Sequence, residues 1–152
     1  MSRETGFRLG AMGCFLLYII SFLFLPYVAE MGGYGHSGVD CFFVSGWAYL
    51  ILATGIAAAI CTMTVPAKPA AVICLAAALI ALIAFFPIRM EVAARMNRVT
   101  TNGIYVVPTA GFGLVLCILC GIGAAVLCFL SEYASKPVKH TPGLTADPDD
   151  EW

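Results

Sequence analysis

The segment LFLPYVAEMGGYGHSGVDCFFVSGWAYLILATG, residues 23–55, joins two apolar runs through a proline and a glycine-rich polar stretch. The segment AFFPIRMEVAARMNRVTTNGIYVVPTAGFGLV, residues 84–115, repeats that order. In both, proline follows the first apolar run, and a glycine close to an aromatic residue opens the second. Proline ends a helix cleanly because it has no backbone N–H to donate, and glycine allows a sharp bend. The repeated pattern predicts two similar helical hairpins whose loops lie on one membrane face, with Pro26 and Pro87 as helix ends.

Charged residues are so unevenly distributed that four long windows of the chain contain none. The 152 residues are 61% hydrophobic and 11% charged, with a mean hydropathy of +0.94. Each window can cross the ~30 Å hydrocarbon core of a bilayer at a helical rise of ~1.5 Å per residue. Backbone groups in lipid must be hydrogen-bonded internally, so these windows are predicted to be helices. The sequence therefore predicts an all-α membrane fold, a four-transmembrane-helix bundle built from two similar helical hairpins, with spans at about 9–29, 45–64, 69–88 and 105–131.

Two polar ends flank this predicted transmembrane domain, which covers residues 9–131. Residues 1–8 are predicted to be a cytoplasmic N-terminus, and residues 132–152, rich in proline with an acidic end, a disordered tail that either solubilises the chain or binds a partner. A signal peptide is the alternative for the first apolar run. That run is longer than a typical signal core and lacks an A-x-A-like site, so a retained helix is favoured.

Positively charged residues in the loops predict the orientation in the membrane. Five lie on the side of the two termini and three on the other side. Because Lys and Arg concentrate in cytoplasmic loops, we expect a multi-pass protein of the cell (plasma) membrane with both termini in the cytoplasm.

Small residues at steps of four mark one face of the predicted fourth span. They are Gly113, Cys117, Gly121 and Ala125. Lipid supplies no hydrophobic force between helices, so small residues that let two backbones approach closely favour packing. The spacing predicts a helix-packing seam within the chain, and self-association is the alternative.

Aromatic residues stand beside the predicted helix ends. Tyr27, Trp47, Tyr49 and Tyr105 are of the kind that lies at the level of the lipid headgroups. We predict that they are interfacial aromatics, with substrate binding as the alternative.

Two of the seven cysteines form a CxxC sequence, Cys117 and Cys120. This spacing marks redox or metal sites in other proteins. Here it lies about 20 Å into the predicted fourth span at helical rise, where cysteine behaves as a small apolar residue. Packing is therefore the favoured interpretation, and a redox pair is the alternative.

The remaining polar residues define no catalytic, cofactor or metal site. His36, Asp40 and Cys41 lie close in sequence, but their spacing matches no metal-ligand pattern. Glu91 and Arg95, four residues apart, predict a short interfacial helix after the third span. The net charge of −1 gives no basis for nucleic-acid binding. The predicted spans have no ionisable Asp, Glu, Lys, Arg or His in their cores, which argues against a proton-coupled transporter acting alone.

The phrases FLFLPYVAEMGGYGHSG, SGWAYLIL and NGIYVVPTAGFGLVLCILCG together resemble a diffuse group of uncharacterised bacterial four-helix integral membrane proteins. In that group the first helix ends in an FLPW-like phrase, a Ser-Gly loop follows, and the fourth helix opens on Gly-x-aromatic. Tyr27 stands where tryptophan is usual. The resemblance implies a small multi-pass membrane protein and supplies no activity.

The sequence thus favours a non-enzymatic accessory or structural subunit of a membrane assembly, without cofactor. Its expected partners are the lipid bilayer and other membrane proteins or further copies of itself. Two alternatives stay open: an oligomeric channel or transporter component, and a membrane thiol oxidoreductase using Cys117 and Cys120.

Overall fold

The structure, a computed structural model, describes residues 3–29, 35–99 and 108–135, and within them mostly helix. Four of its helices, all within these ranges, are long and apolar enough to cross a membrane by length and composition. They are α1, α3, α4 and α5 in the following order of elements: α1 (Arg3–Phe24), β1 (Pro26–Ala29), β2 (Gly35–Ser37), α2 (Gly38–Phe42), α3 (Trp47–Thr64), α4 (Ala67–Val99), β3 (Thr109–Ala110) and α5 (Phe112–Ser135).

The four long helices contact one another in a closed cycle. Helix α1 packs against α3 and α5, and α4 packs against the same two helices. Phe15, Tyr18 and Phe22 of α1 are fully buried, and their spacing of three and four residues places them on one helix face. Small residues, mostly alanine and cysteine, supply most of the buried positions of α4 and α5. Aromatic rings from one helix therefore fill the space that small residues on the others leave.

Polar contacts join the helix ends on one side of the molecule. The guanidinium of Arg8 on α1 donates to the carbonyl oxygen of Val65 after α3, over 3.0 Å. Lys68 on α4 and Glu132 on α5 form an ion pair, with Nζ and Oε1 3.1 Å apart. The start of α1 and the end of α5 consequently lie at the same end of the helices.

A three-stranded sheet in the order β2–β1–β3 lies at the opposite end. Strand β1 pairs antiparallel with β2 and, through Val28 opposite Ala110, with β3. The next N–H after β3, that of Gly111, donates to the carbonyl oxygen of Tyr27 over 3.0 Å. This sheet ties the segment after α1 to the segment before α5, and it was not predicted by the all-α interpretation.

Proline acts differently in the two segments that the sequence aligned. Helix α1 ends at Phe24, just before Pro26, whereas Pro87 lies inside α4, which continues to Val99. The prediction that Pro87 ends the third span is therefore wrong, and Glu91 and Arg95 belong to α4 rather than to a separate helix. Proline removes one backbone hydrogen bond, and a membrane helix tolerates that loss because neighbouring helices and local adjustments can satisfy the freed group.

The other predicted boundaries shift for identifiable reasons. The first helix begins at residue 3 rather than 9, and residues 26–29, predicted as helix, pair as strand β1 instead. The fourth begins at Phe112 rather than 105, because residues 109–110 form β3. Residues 132–135, predicted as tail, continue α5, and the rest of the predicted tail lies outside the described residues. Helix α3 agrees with its prediction to within two residues.

Candidate functional site

The described residues contain no group of three or more His, Cys, Asp or Glu side chains that could hold a metal ion. All seven cysteines are among them, as free thiols. The arrangements that remain are the small-residue face of α5, the buried aromatic residues, and two depressions between helices.

The first half of the predicted seam packs against α1. A Cβ atom on Gly113 would lie 3.0 Å from the carbonyl oxygens of Ser21, Leu25 and Pro26. Cys117 is fully buried and its thiol donates to the carbonyl oxygen of Tyr18 over 3.5 Å. Both positions therefore bring α5 against the backbone of α1.

The second half of the seam packs against α4. A Cβ atom on Gly121 would lie 2.7 Å from the Cβ of Ala78, closer than side chains approach one another. Ala125 is buried one turn further along. The four seam residues are thus used inside the chain, where α5 lies between α1 and α4.

The predicted interfacial aromatics divide into different environments. Trp47 and Tyr49 at the start of α3 are exposed, whereas Tyr27 is fully buried. The Tyr27 hydroxyl donates to the carbonyl oxygen of Ala81 on α4, and its ring meets Phe22 edge-on at 5.2 Å between centroids. The interfacial placement of Tyr27 is therefore wrong, because β1 turns this ring back into the protein. Tyr105 lies outside the described residues.

The cysteine pair that the structure brings together differs from the CxxC sequence. Cys74 of α4 and Cys128 of α5 are both buried, and their side chains are neighbours. Cys120 is half-buried, and Cys117 is engaged with α1 as described above. Because Cys74 and Cys128 belong to different helices, sequence spacing could not identify them.

His36, Asp40 and Cys41 have no common site. The Asp40 carboxylate accepts hydrogen bonds from the backbone N–H and the hydroxyl of Ser37, both at 2.9 Å, and so caps the start of α2. Cys41 is fully buried. This burial, and secondarily the Asp40 charge, raises the pKa of the Cys41 thiol to about 12. Asp40 and Cys41 therefore serve the local fold.

Charged residues surround an open cavity of about 370 Å³ where three helices meet. We call it the charged cavity; it is lined by Glu4 and Arg8 of α1, Lys68 of α4 and Glu132 of α5, together with residues 66, 67 and 69. Arg8 Nε lies 3.3 Å from Glu4 Oε1, in addition to its contact with Val65. The cavity thus contains two cationic and two anionic side chains.

An apolar groove of about 260 Å³ runs between α4 and α5. Ala71 and Leu75 line it from α4, and Ile122, Ala125 and Phe129 are among its lining residues from α5. Neither this groove nor the charged cavity is evident from the sequence. The sequence does indicate the Lys68–Glu132 ion pair, since both residues border uncharged windows on the same predicted side of the membrane.

No protein-family model, curated protein sequence or solved structure matches the chain. The geometry itself defines a class: four long apolar helices indicate a membrane protein.

Proposed function

We propose that the chain is a multi-pass integral membrane protein of the plasma membrane, a non-enzymatic accessory or structural subunit of a membrane assembly. One observation carries the proposal: the helices pack mainly through small residues and a few aromatic rings, and most of their large apolar side chains lie on the outer surface. Leu79, Ile60 and Leu119, for example, lie on the outer surface. Apolar surface on this scale is a liability in water, but lipid solvates it.

The polar content of the interior supports a structural role. The buried polar residues in the described part of the chain are Ser21, Ser45, Thr62 and Ser131. The hydroxyls of Thr62 and Ser131 donate to carbonyls of their own helices, at 2.7 Å in each case. Such groups offer neither an acid–base pair nor a charged path, and ionisable residues inside the membrane are the usual mark of proton and ion transport.

The charges at the polar end of the molecule support the proposed orientation. Arg8 and Lys68 lie at the end where α1 begins and α5 ends. Cytoplasmic segments carry an excess of Lys and Arg, so this end faces the cytoplasm in the proposal. A tag placed at either terminus is then expected to be digested by protease in inverted vesicles and protected in intact cells. Opposite accessibility of the two tags would contradict it.

The accessory role is tested by mild-detergent purification of the tagged chain followed by mass spectrometry. A membrane protein of similar size, carrying the same tag at the same expression level, is the matched control. We expect a partner that recurs with this chain and is absent from the control. Recovery of the bare chain alone in repeated preparations would overturn the accessory role.

A further inference from the structure

We propose that the charged cavity and the apolar groove together bind one phospholipid of the surrounding bilayer, with a zwitterionic amine headgroup at the charged end and one acyl chain between α4 and α5. This inference rests on the proposed membrane integration, because a bilayer phospholipid reaches the groove only from lipid.

The two depressions are lined by residues that follow one another along the same faces of α4 and α5. On α4, Lys68 is followed by the groove residues Ala71 and Leu75, at steps of three and four. On α5, Glu132 is preceded by Phe129 and Ala125 at the same steps. Residues at these steps share one face of a helix. The Lys68–Glu132 ion pair therefore lies at the end of the apolar groove that is nearest to the charged cavity.

The length of the groove matches one leaflet of a bilayer. From Glu132 to the groove residue Ile122 is about 15 Å at a helical rise of ~1.5 Å per residue. Half of a hydrocarbon core of ~30 Å is also about 15 Å. The small side chains of Ala71 and Ala125, which are buried, leave space between the larger residues of both helices. An extended hydrocarbon chain fits this arrangement.

The charges at the polar end fit a zwitterion. Arg8 and Lys68 can bind a phosphate, since charge-assisted hydrogen bonds to phosphate are strong, and Glu4 and Glu132 can bind an ammonium group. The four side-chain charges sum to zero. An anionic headgroup therefore gains less electrostatic stabilisation here than a headgroup that carries both a negative and a positive charge. The side chain of Lys68 is 72% exposed and that of Glu132 is 21% exposed. An ion pair this exposed contributes little by itself, so Lys68 can turn to a phosphate while Glu132 keeps a cationic partner in the headgroup.

The experiment uses the full chain in nanodiscs containing equal amounts of phosphatidylethanolamine, phosphatidylcholine and phosphatidylglycerol. After transfer to mild detergent, native mass spectrometry counts the lipids retained by each chain. We expect one retained phosphatidylethanolamine per chain. Lys68→Gln is expected to lower this retention about tenfold, the effect of losing one charge-assisted hydrogen bond. Glu132→Gln is a second headgroup variant should Lys68→Gln not fold.

A matched pair of substitutions tests the acyl-chain site. Val126 lines the groove and is 52% exposed, whereas Val72 is outside the groove and is 66% exposed. Val126→Trp is expected to remove the retained lipid by filling the groove, and Val72→Trp to leave it unchanged. Gel filtration and thermal unfolding establish that each variant is folded.

Several results would overturn the lipid site. They are a wild-type chain that keeps no lipid, a preference for phosphatidylglycerol, equal retention by Lys68→Gln, equal loss in both tryptophan variants, or a dimer that occupies the groove in place of lipid. If the chain still requires detergent while showing any of these, the lipid inference alone fails. A chain that is monodisperse without detergent would instead overturn the proposed membrane protein.

Discussion

Replacing Gly121 with alanine is expected to weaken the contact between α4 and α5, whereas the same change at Gly123 is expected to be harmless. Both glycines lie in α5, two residues apart, so they are on different faces of the helix and have different neighbours. A Cβ atom on Gly121 would lie 2.7 Å from Ala78 Cβ and 3.5 Å from the Cys74 carbonyl oxygen. A Cβ atom on Gly123 would lie 3.8 Å from Cys14 Sγ, an ordinary contact.

The magnitudes follow from two opposing effects. Overpacking of a well-packed interior costs ~1–3 kcal/mol, and Ala78 cannot rotate away because its Cβ is fixed to the α4 backbone. Alanine in place of glycine stabilises a helix interior by ~0.5–1 kcal/mol. We therefore expect Gly121→Ala to lower the free energy of unfolding by about 1–2 kcal/mol and Gly123→Ala to raise it by about 0.5–1 kcal/mol.

Thermal unfolding of the purified variants in one detergent, followed by circular dichroism, measures the difference. The expected result is a lower midpoint than wild type for Gly121→Ala and an equal or higher midpoint for Gly123→Ala. A Gly121→Ala protein that melts at or above the wild-type temperature would refute the argument from close approach. Equal changes of the unfolding midpoint in both variants would indicate that helix propensity alone determines the effect.

Three further predictions concern the end of the molecule that contains the sheet. Gly111→Ala would press a Cβ atom into the Pro26 carbonyl oxygen, so we expect loss of the monodisperse peak in gel filtration. Normal recovery of the variant would contradict this. Tyr27→Phe removes the hydrogen bond to Ala81 and is expected to cost ~1 kcal/mol in thermal unfolding, against which an unchanged midpoint would count. Burial raises the pKa of the Cys41 thiol to about 12, so the folded protein holds this proton more tightly than the unfolded chain does. The stabilisation by the protonated thiol is therefore complete below the ordinary thiol pKa and is lost as the pH rises towards 12. At pH 8 alkylation of Cys41, mapped by peptide mass spectrometry, should be slow in the folded protein and fast in denaturant, and rapid labelling of folded protein would show that the thiol is accessible.

The long apolar windows allowed the helices to be predicted because their signal is local. Helix α3 agrees to within two residues, since charged or polar positions bracket its window. The sheet is different. Val28 pairs with Ala110, a partner more than eighty positions away along the chain, and no local pattern in either short segment indicates that pairing. Pro87 shows a third case, in which a common local signal for a helix end does not hold, because neighbouring helices and local adjustments can satisfy the backbone group that proline frees.

The candidate site was less accessible to sequence analysis for the same reason. The seam of α5 has a regular spacing and could be found in one helix, but which neighbour each residue meets depends on the packing. Tyr27 was assigned to the headgroup level from its position beside a proline, whereas a turn of the backbone buries it. Cys74 and Cys128, like Lys68 and Glu132, become neighbours only when α4 and α5 lie side by side.

Helix α4 runs without a break through 33 residues, which is about 50 Å at ~1.5 Å per residue. The hydrocarbon core of a bilayer is only ~30 Å thick, so several turns of an upright α4 protrude from it. These turns are continuous with the embedded ones and extend the helix into the headgroup region or beyond it.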